Sequence, residues 1–333
     1  MQRLLVILGV LFSTRAQAQD VTVAIDPDLA QQAGVDPTEV EQQIHDATSG
    51  QLKLDEPQAF LEQMAAANAF ATKGMGVDYA TNPQRFFVGG AFGTAVNGAG
   101  FTFVRGEETL PTGGFALQAS ANAGLNLGFM SKDESFLRRI VVSANGLWYA
   151  GAAPPFEAEF FNLGGHIQLK LIRPSHKGVV EWGGLDVTSG YELSSYRLSL
   201  SESLPVETTG LRWDASGDLD ITASSGSIPI ELSTNLRVFV VSAYIGGALD
   251  IRTAAVANGT MSLGGPLTFT GAGQDQPLGT VNASLALEGH ATEYVPRAFA
   301  GVQVNIVWLK VYGHLNVGFD DTYAGHLGVR VAL

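Results

Sequence analysis

Tyr323-Ala-Gly-His-Leu-Gly-Val-Arg-Val-Ala-Leu333 ends the chain on strictly alternating side chains. Tyr323, Gly325, Leu327, Val329, Val331 and Leu333 fall on one face, and Ala324, His326, Gly328, Arg330 and Ala332 on the other. Successive side chains of a strand point to opposite faces, so this stretch predicts a strand with one apolar and one polar face. Just upstream, Leu309, Val311, Gly313, Leu315, Val317 and Phe319 alternate with Lys310, Tyr312, His314, Asn316 and Gly318. Asp320-Asp321-Thr322 reads as the turn between the two strands. Pairing about Asp320 makes His314 and His326 cross-strand neighbours on the polar face.

The same period recurs upstream. Phe115, Leu117, Ala119, Ala121, Ala123, Leu125, Leu127 and Phe129 face one way over residues 114–130, and Phe161, Leu163, Ile167, Leu169 and Leu171 do so over 158–172. Continued along the chain, the pattern predicts strands at 84–96, 113–130, 137–150, 158–172, 177–189, 191–202, 207–222, 227–234, 236–252, 259–270, 279–290, 296–307, 309–319 and 323–333. That is about 14 antiparallel strands, or about 12 if the weaker patterns at 177–222 and 259–270 hold fewer, an even number either way. An even number puts both ends of the strand set on one side. Turns on that side are expected near 131–136, 173–176, 203–206, 233–235, 271–278 and 308, and loops on the other near 97–112, 151–157, 223–226, 253–258, 291–295 and 320–322.

Composition agrees with strands that meet something other than water. Mean hydropathy is +0.15 and only 15% of residues are charged, against about 25% in soluble domains. A chain of this composition that closes on an amphipathic hairpin with an apolar last residue resembles the bacterial outer-membrane β-barrels. The resemblance implies an all-β transmembrane antiparallel barrel over residues 81–333 and outer-membrane lipid as its surroundings. It also implies the barrel-assembly machinery as a partner during biogenesis. A soluble secreted β-sandwich shares the alternation and is the alternative class.

Residues 1–18 read as a secretory signal. Arg3 is the charged start, Leu4–Phe12 the apolar core, and Ala16-Gln17-Ala18 the small-residue site, with cleavage expected near Ala18. The chain has no cysteine, which excludes a lipid-anchored cysteine, disulfides and thiolate metal sites.

Residues 19–80 are of another kind. Asp36-Pro37-Thr38-Glu39 fits a capped helix start running to about Thr48, and Pro57 opens a second helix expected to stop at Lys73-Gly74. Residues 20–80 hold 11 acidic and 2 basic side chains, a net of −9 of the chain's −13. Many barrel cations fall at the side expected to be periplasmic. An acidic helical plug, in or under that mouth, would find Lys310, Arg330, Arg237 and Arg139 as docking partners.

The lumen face is expected to be polar and mostly uncharged, lined by Asn122, Asn126, Asn145, Asn162, His166, Gln168, Gln303, Asn305, His314 and His326. Rings of like charge that would select ions are not evident. A second resemblance rests on Asn82-Pro83 before the first strand, after a segment of plug length. It is to the long-chain fatty acid transporter family, which continues with Ala where Gln84 stands. The chain is also similar to barrel families known from sequence alone.

No nucleophile elbow, dinucleotide fingerprint, phosphate-binding loop or zinc-protease motif occurs. The paired histidines lack the further ligands of a metal site, and a pI of 4.8 argues against nucleic acid. The sequence therefore predicts a barrel that is not an enzyme and carries no cofactor or metal. Its expected role is to pass small, weakly charged or hydrophobic molecules across the bacterial outer membrane. The alternative is a non-conducting structural or surface barrel with a filled lumen.

Overall fold

The computed structural model describes residues 18–42, 55–80, 85–98, 113–130, 136–153, 156–208, 210–270 and 275–333. The signal-peptide core, Asn82-Pro83, most of the expected turn at 131–136 and most of the expected loop at 97–112 lie outside the described residues. In chain order the elements begin with β1 (Ala18–Ile25), α1 (Pro27–Ala33), α2 (Asp55–Phe70), β2 (Phe86–Asn97), β3 (Gly114–Asn126) and β4 (Ile140–Ala153). They continue with β5 (Phe156–Ile172), β6 (Ser175–Lys177), β7 (Val180–Thr208), β8 (Leu211–Val238) and β9 (Val241–Phe269). The last four are β10 (Gln276–His290), β11 (Tyr294–Ile306), β12 (Leu309–Gly318) and β13 (Thr322–Ala332).

Ten of these strands close a ring. From β2 it passes through β3, β4, β5, β7, β8, β9, β11 and β12 to β13, which pairs back onto β2 from Thr322↔Asn97 to Ala332↔Phe87. The pairings from β9 through β11, β12, β13, β2, β3, β4 and β5 to β7 are antiparallel, and β12 sets His314 directly opposite His326 on β13. Around the ring Phe92, Leu163, Ile167, Ile245, Leu315 and Leu327 are exposed, whereas Asn122, Asn162, Gln168, Gln303 and Asn316 are buried. Apolar outside and polar inside, with no free edge, is the arrangement a bilayer requires. The fold is a transmembrane β-barrel.

The number of strands in the ring differs from the expected 14 or 12. β7, β8 and β9 run for 29, 28 and 29 residues, and each takes up what alternation had divided in two. The expected turns at 203–206 and 233–235 and loops at 223–226 and 253–258 lie within these strands. The chain turns instead at Phe239-Val240, which also explains why both faces around residue 239 are apolar.

β8 shows why its two halves looked separate. Its odd-numbered face begins Leu211, Trp213, Ala215 and later becomes Ser225, Ser227, Glu231, Ser233, Asn235. Its even-numbered face begins Arg212, Asp214, Ser216, Asp218 and later becomes Ile230, Leu232, Leu236. Both faces invert their polarity along one continuous strand, and the inversion reads as a boundary.

The chain divides into two compact units. The larger holds Lys53–Ser201, Asp220–Asn258 and Gly289–Leu333, and with them the ring. The smaller takes the chain up to Leu52, Glu202–Leu219 and Gly259–Glu288. In the smaller unit β1 pairs with β10 from Ala18↔Ala286 to Ile25↔Gly279. Its core joins Leu211, Trp213, Ala215, Leu267, Leu278 and Val281 to Val40, with Val23, Ile25, Ala33 and Val35 packed against it. Asp26 caps α1 by accepting from Asp28 N at 2.9 Å, Gly34 ends it at φ +71°, and Asp36 accepts from Thr38 N at 2.8 Å at the head of the helix over 37–42.

The inversion on β8 is testable with one substitution on each half of its even-numbered face. Leu232→Arg puts a charge into lipid and is expected to destabilise the reconstituted protein by about 2–4 kcal/mol. Ser216→Arg is expected to change stability by no more than about 0.5 kcal/mol. Urea unfolding in vesicles, followed by electrophoretic mobility, measures both.

Candidate functional site

The lumen of the larger unit is occupied by its own chain. From Met64 to Ala80 every residue is buried. α2 buries Phe60, Leu61, Met64, Ala67 and Phe70, and Ala67, Phe70 and Ala71 pack on Ala95, Ala116 and Ala324 of the surrounding strands. The helix approaches the wall closely where side chains are missing: a Cβ on Gly114 would lie 2.0 Å from the Gln63 carbonyl oxygen. Lys73-Gly74 lies in the turn that follows the helix, Gly74 taking φ +86°, and residues 71–80 continue as turns and irregular chain.

This irregular stretch has its polar groups met by the wall. Asn316 Nδ2 donates to the Lys73 carbonyl at 3.0 Å, Asn122 Nδ2 to Met75 O at 3.2 Å, and Arg330 NH2 to Val77 O at 2.6 Å. His326 Nε2 lies 2.9 Å from the Ala71 carbonyl, and Gln168 Nε2 donates to Asp78 O at 3.4 Å. The contacts order the segment along the ring. α2 meets Gly114, where β3 begins, and Asp78 meets Lys310 and Arg330, where β12 begins and β13 ends.

Three charged clusters hold it. Lys73 Nζ is 2.6 Å from Glu192 Oε2 and also donates to Ser227 Oγ. Asp78 faces Arg330 NH1 at 3.2 Å and Lys310 Nζ at 3.5 Å. Tyr79 donates to Glu231 Oε2 at 2.8 Å, and Glu231 in turn takes Arg297 NH2 at 2.6 Å while Arg297 Nε reaches Asp250 at 2.9 Å. The Tyr79 ring sits among Tyr244, Phe299 and His314, with centroids 4.8–5.4 Å away.

All ten expected lumen residues are buried, in different roles. Asn122, Gln168 and His326 bond the central segment, and His314 stacks on both Tyr79 and His326. Asn145 and His166 bond each other at 3.1 Å and press on Gly76, where a Cβ would lie 2.5 Å from Asn145 Oδ1. Asn162 bonds Gln118 and Ser120. Gln303 bonds Asn305, which also bonds Ser242. Asn126 accepts from Gly128 N.

Of the four expected docking cations, Lys310 and Arg330 meet Asp78. Arg237 instead donates to the Phe239 carbonyl at 3.0 Å and faces Glu181 at 3.9 Å, and Arg139 sits in the 3-10 turn Phe136–Arg139. The acidic segment itself is divided. Residues 18–42 belong to the smaller unit, and residues from Lys53 onward to the larger.

The expectation of a lumen with few charges is corrected. Lys73, Asp78, Lys170, Asp186, Glu192, Glu231, Asp250, Arg252, Arg297, Lys310 and Arg330 are all buried in the larger unit. Five acids face six bases, so the set is a collection of pairs and not a ring of one sign. Alternation could have shown Glu231 between Ile230 and Leu232, but only the fold brings it to Arg297 and Tyr79. Among the described residues no group of His, Asp and Glu is arranged to hold a metal.

The ring and its contents define a transmembrane β-barrel of the outer-membrane type whose lumen is filled by the segment preceding its first strand. A model of the Lsa36-like family matches residues 16–333, and the chain belongs to that family. No curated protein sequence matches. Among solved structures, the chain is similar to the CymD monoaromatic hydrocarbon channel, with 7% identity over 81% of this chain and 98% of that one at a TM-score of 0.28. It is also similar to the translocator domain of the autotransporter NalP from Neisseria meningitidis (9%, 76% and 90%, TM-score 0.29) and to the Ralstonia pickettii toluene transporter TbuX (9%, 80% and 90%, TM-score 0.26). Superposition at this level transfers no function.

Removing one member of a buried pair leaves the other charged and unpaired. Lys73→Met is expected to cost about 3–5 kcal/mol in urea unfolding, through the stranded Glu192 carboxylate. The double variant Lys73→Met/Glu192→Gln should recover more than half of that loss.

Proposed function

We propose that the barrel is closed and non-conducting, an outer-membrane surface or structural protein that fills its own lumen. The observation that carries this reading is the burial of all seventeen residues from Met64 to Ala80 inside the ring. Their charges are paired with wall residues, and the carbonyls of Ala71, Lys73, Met75, Val77 and Asp78 are bonded to wall amides, imidazole and guanidinium, which supports a lumen closed to ions. Export to the bacterial outer membrane belongs to the same reading. A signal-peptide cut near Ala18 leaves nearly all of β1, whose pairing with β10 starts at that residue. Passage of small, weakly charged or hydrophobic molecules would require residues 64–80 to shift or leave.

Single-channel recording in planar bilayers tests this. The intact protein is expected to give no steady conductance, and a variant lacking residues 58–80 to give open steps. Steady conductance from the intact protein would replace the closed-barrel reading with the channel reading.

A further inference from the structure

Hairpin tips facing water are normally polar and built on residues that tolerate a left-handed backbone. At the end of the ring that carries Leu333, the tips are built otherwise. The β8–β9 connection is Phe239-Val240 and the β11–β12 connection is Val307-Trp308, each a two-residue loop. Phe239 and Val307 hold φ of +53° and +56°, in a region where glycine is the natural occupant and bulky or β-branched residues are strained. Both side chains are nonetheless displayed, Phe239 68% and Val307 88% exposed. At the other end, the β12–β13 loop gives its left-handed position to Asp321 at +58°, a residue that accepts it readily.

The remaining connections at the Leu333 end repeat the theme. Phe129, Met130 and Phe136 are exposed between β3 and β4, and Val179 between β6 and β7. Arginines accompany them: Arg85 at the head of β2, Arg138 and Arg139 before β4, Arg173 after β5, and Arg237 before the Phe239 tip. Among the described residues Glu181 lies beside them, 3.9 Å from Arg237, and the sequence of the β3–β4 connection adds Lys132, Asp133 and Glu134. Strained apolar tips interleaved with cations suit neither water nor the hydrocarbon core. They suit the layer between, where apolar side chains enter the acyl region and guanidinium groups meet phosphate. The lengths agree: β12 and β13 have 10 and 11 residues, about the 9–11 needed for one crossing, so these tips fall at the bilayer boundary.

We propose that this rim is a phospholipid-binding surface that seats the tips in the adjoining leaflet and selects anionic headgroups. Trp308 reports on it. The intact protein is reconstituted in mixed phosphatidylcholine and phosphatidylglycerol vesicles, with acyl-chain bromine on one lipid or the other, and Trp308→Phe isolates the Trp308 signal. Brominated phosphatidylglycerol is expected to quench Trp308 at least about twofold more than brominated phosphatidylcholine at the same mole fraction. Arg85→Gln with Arg138→Gln should abolish that difference while leaving quenching by phosphatidylcholine in place. Equal quenching by the two lipids in the unaltered protein would overturn headgroup selection. Absence of lipid quenching together with quenching by aqueous acrylamide would overturn the proposal as a whole and leave the rim to a soluble partner.

Discussion

The structure depends on one requirement: backbone without regular structure can lie at membrane depth only if protein groups satisfy its N–H and C=O. Residues 71–80 are such backbone. Each unmet carbonyl there would carry a desolvation penalty of about 1–3 kcal/mol, and ten residues could not bear many. The amides and imidazoles of the lumen meet that requirement. Asn122, Gln168, Asn316, His326 and Arg330 each reach a carbonyl of this stretch or of its helix end. A lumen rich in Asn, Gln and His is what a barrel needs when it holds a chain, just as an open channel needs polar groups for water.

The charges follow the same logic. Isolated ions in so enclosed a space would be costly, but paired ions with further hydrogen bonds are tolerated. Each cluster has a third or further member: Ser227 beside Lys73, Lys310 beside Asp78 and Arg330, and Tyr79 and Asn316 beside Glu231 and Arg297. The pairs also join distant parts of the chain, Lys73 to Glu192 across 119 positions and the Lys73 carbonyl to Asn316 across 243. The central segment is synthesised first yet can gain its last partners only when β12 and β13 join the ring. Contacts of such separation carry the largest closure entropy and make slow folding.

What could be read in the sequence was local. The terminal hairpin, its register through His314 and His326, and the helix after Pro57 rest on periodicities of two and of three to four residues, and α2 and the β12–β13 pairing match them. The burial of the ten polar residues follows from the same period of two, which sets them on the face opposite their mostly apolar neighbours. The charged clusters were not legible. Lys73 reads as part of a helix stop and Asp78 as one more acid in an acidic stretch, and nothing local points either to a barrel strand. The strand number failed for a physical reason as well. Small polar runs such as Ser224-Ser-Gly-Ser227 resemble turns, but within β8 Ser225 and Ser227 face the crowded interior, where small side chains leave room for the central segment.

β8 shows how one chain answers two solvents. In its first residues the even-numbered face is polar, as one that meets water is, and Leu211, Trp213 and Ala215 turn into a core held by apolar burial. In its later residues lipid is outside, and hiding apolar groups from lipid gains nothing. Ile230, Leu232 and Leu236 turn outward, and cohesion on the inner face passes to hydrogen bonds and ion pairs through Ser225, Ser227 and Glu231. The buried face of one strand thus changes from apolar to polar along its length. A single alternating pattern, averaged over the strand, has almost no net preference for either face. The polarity of any short stretch of β8 therefore reports its surroundings more faithfully than it reports where the strand begins or ends.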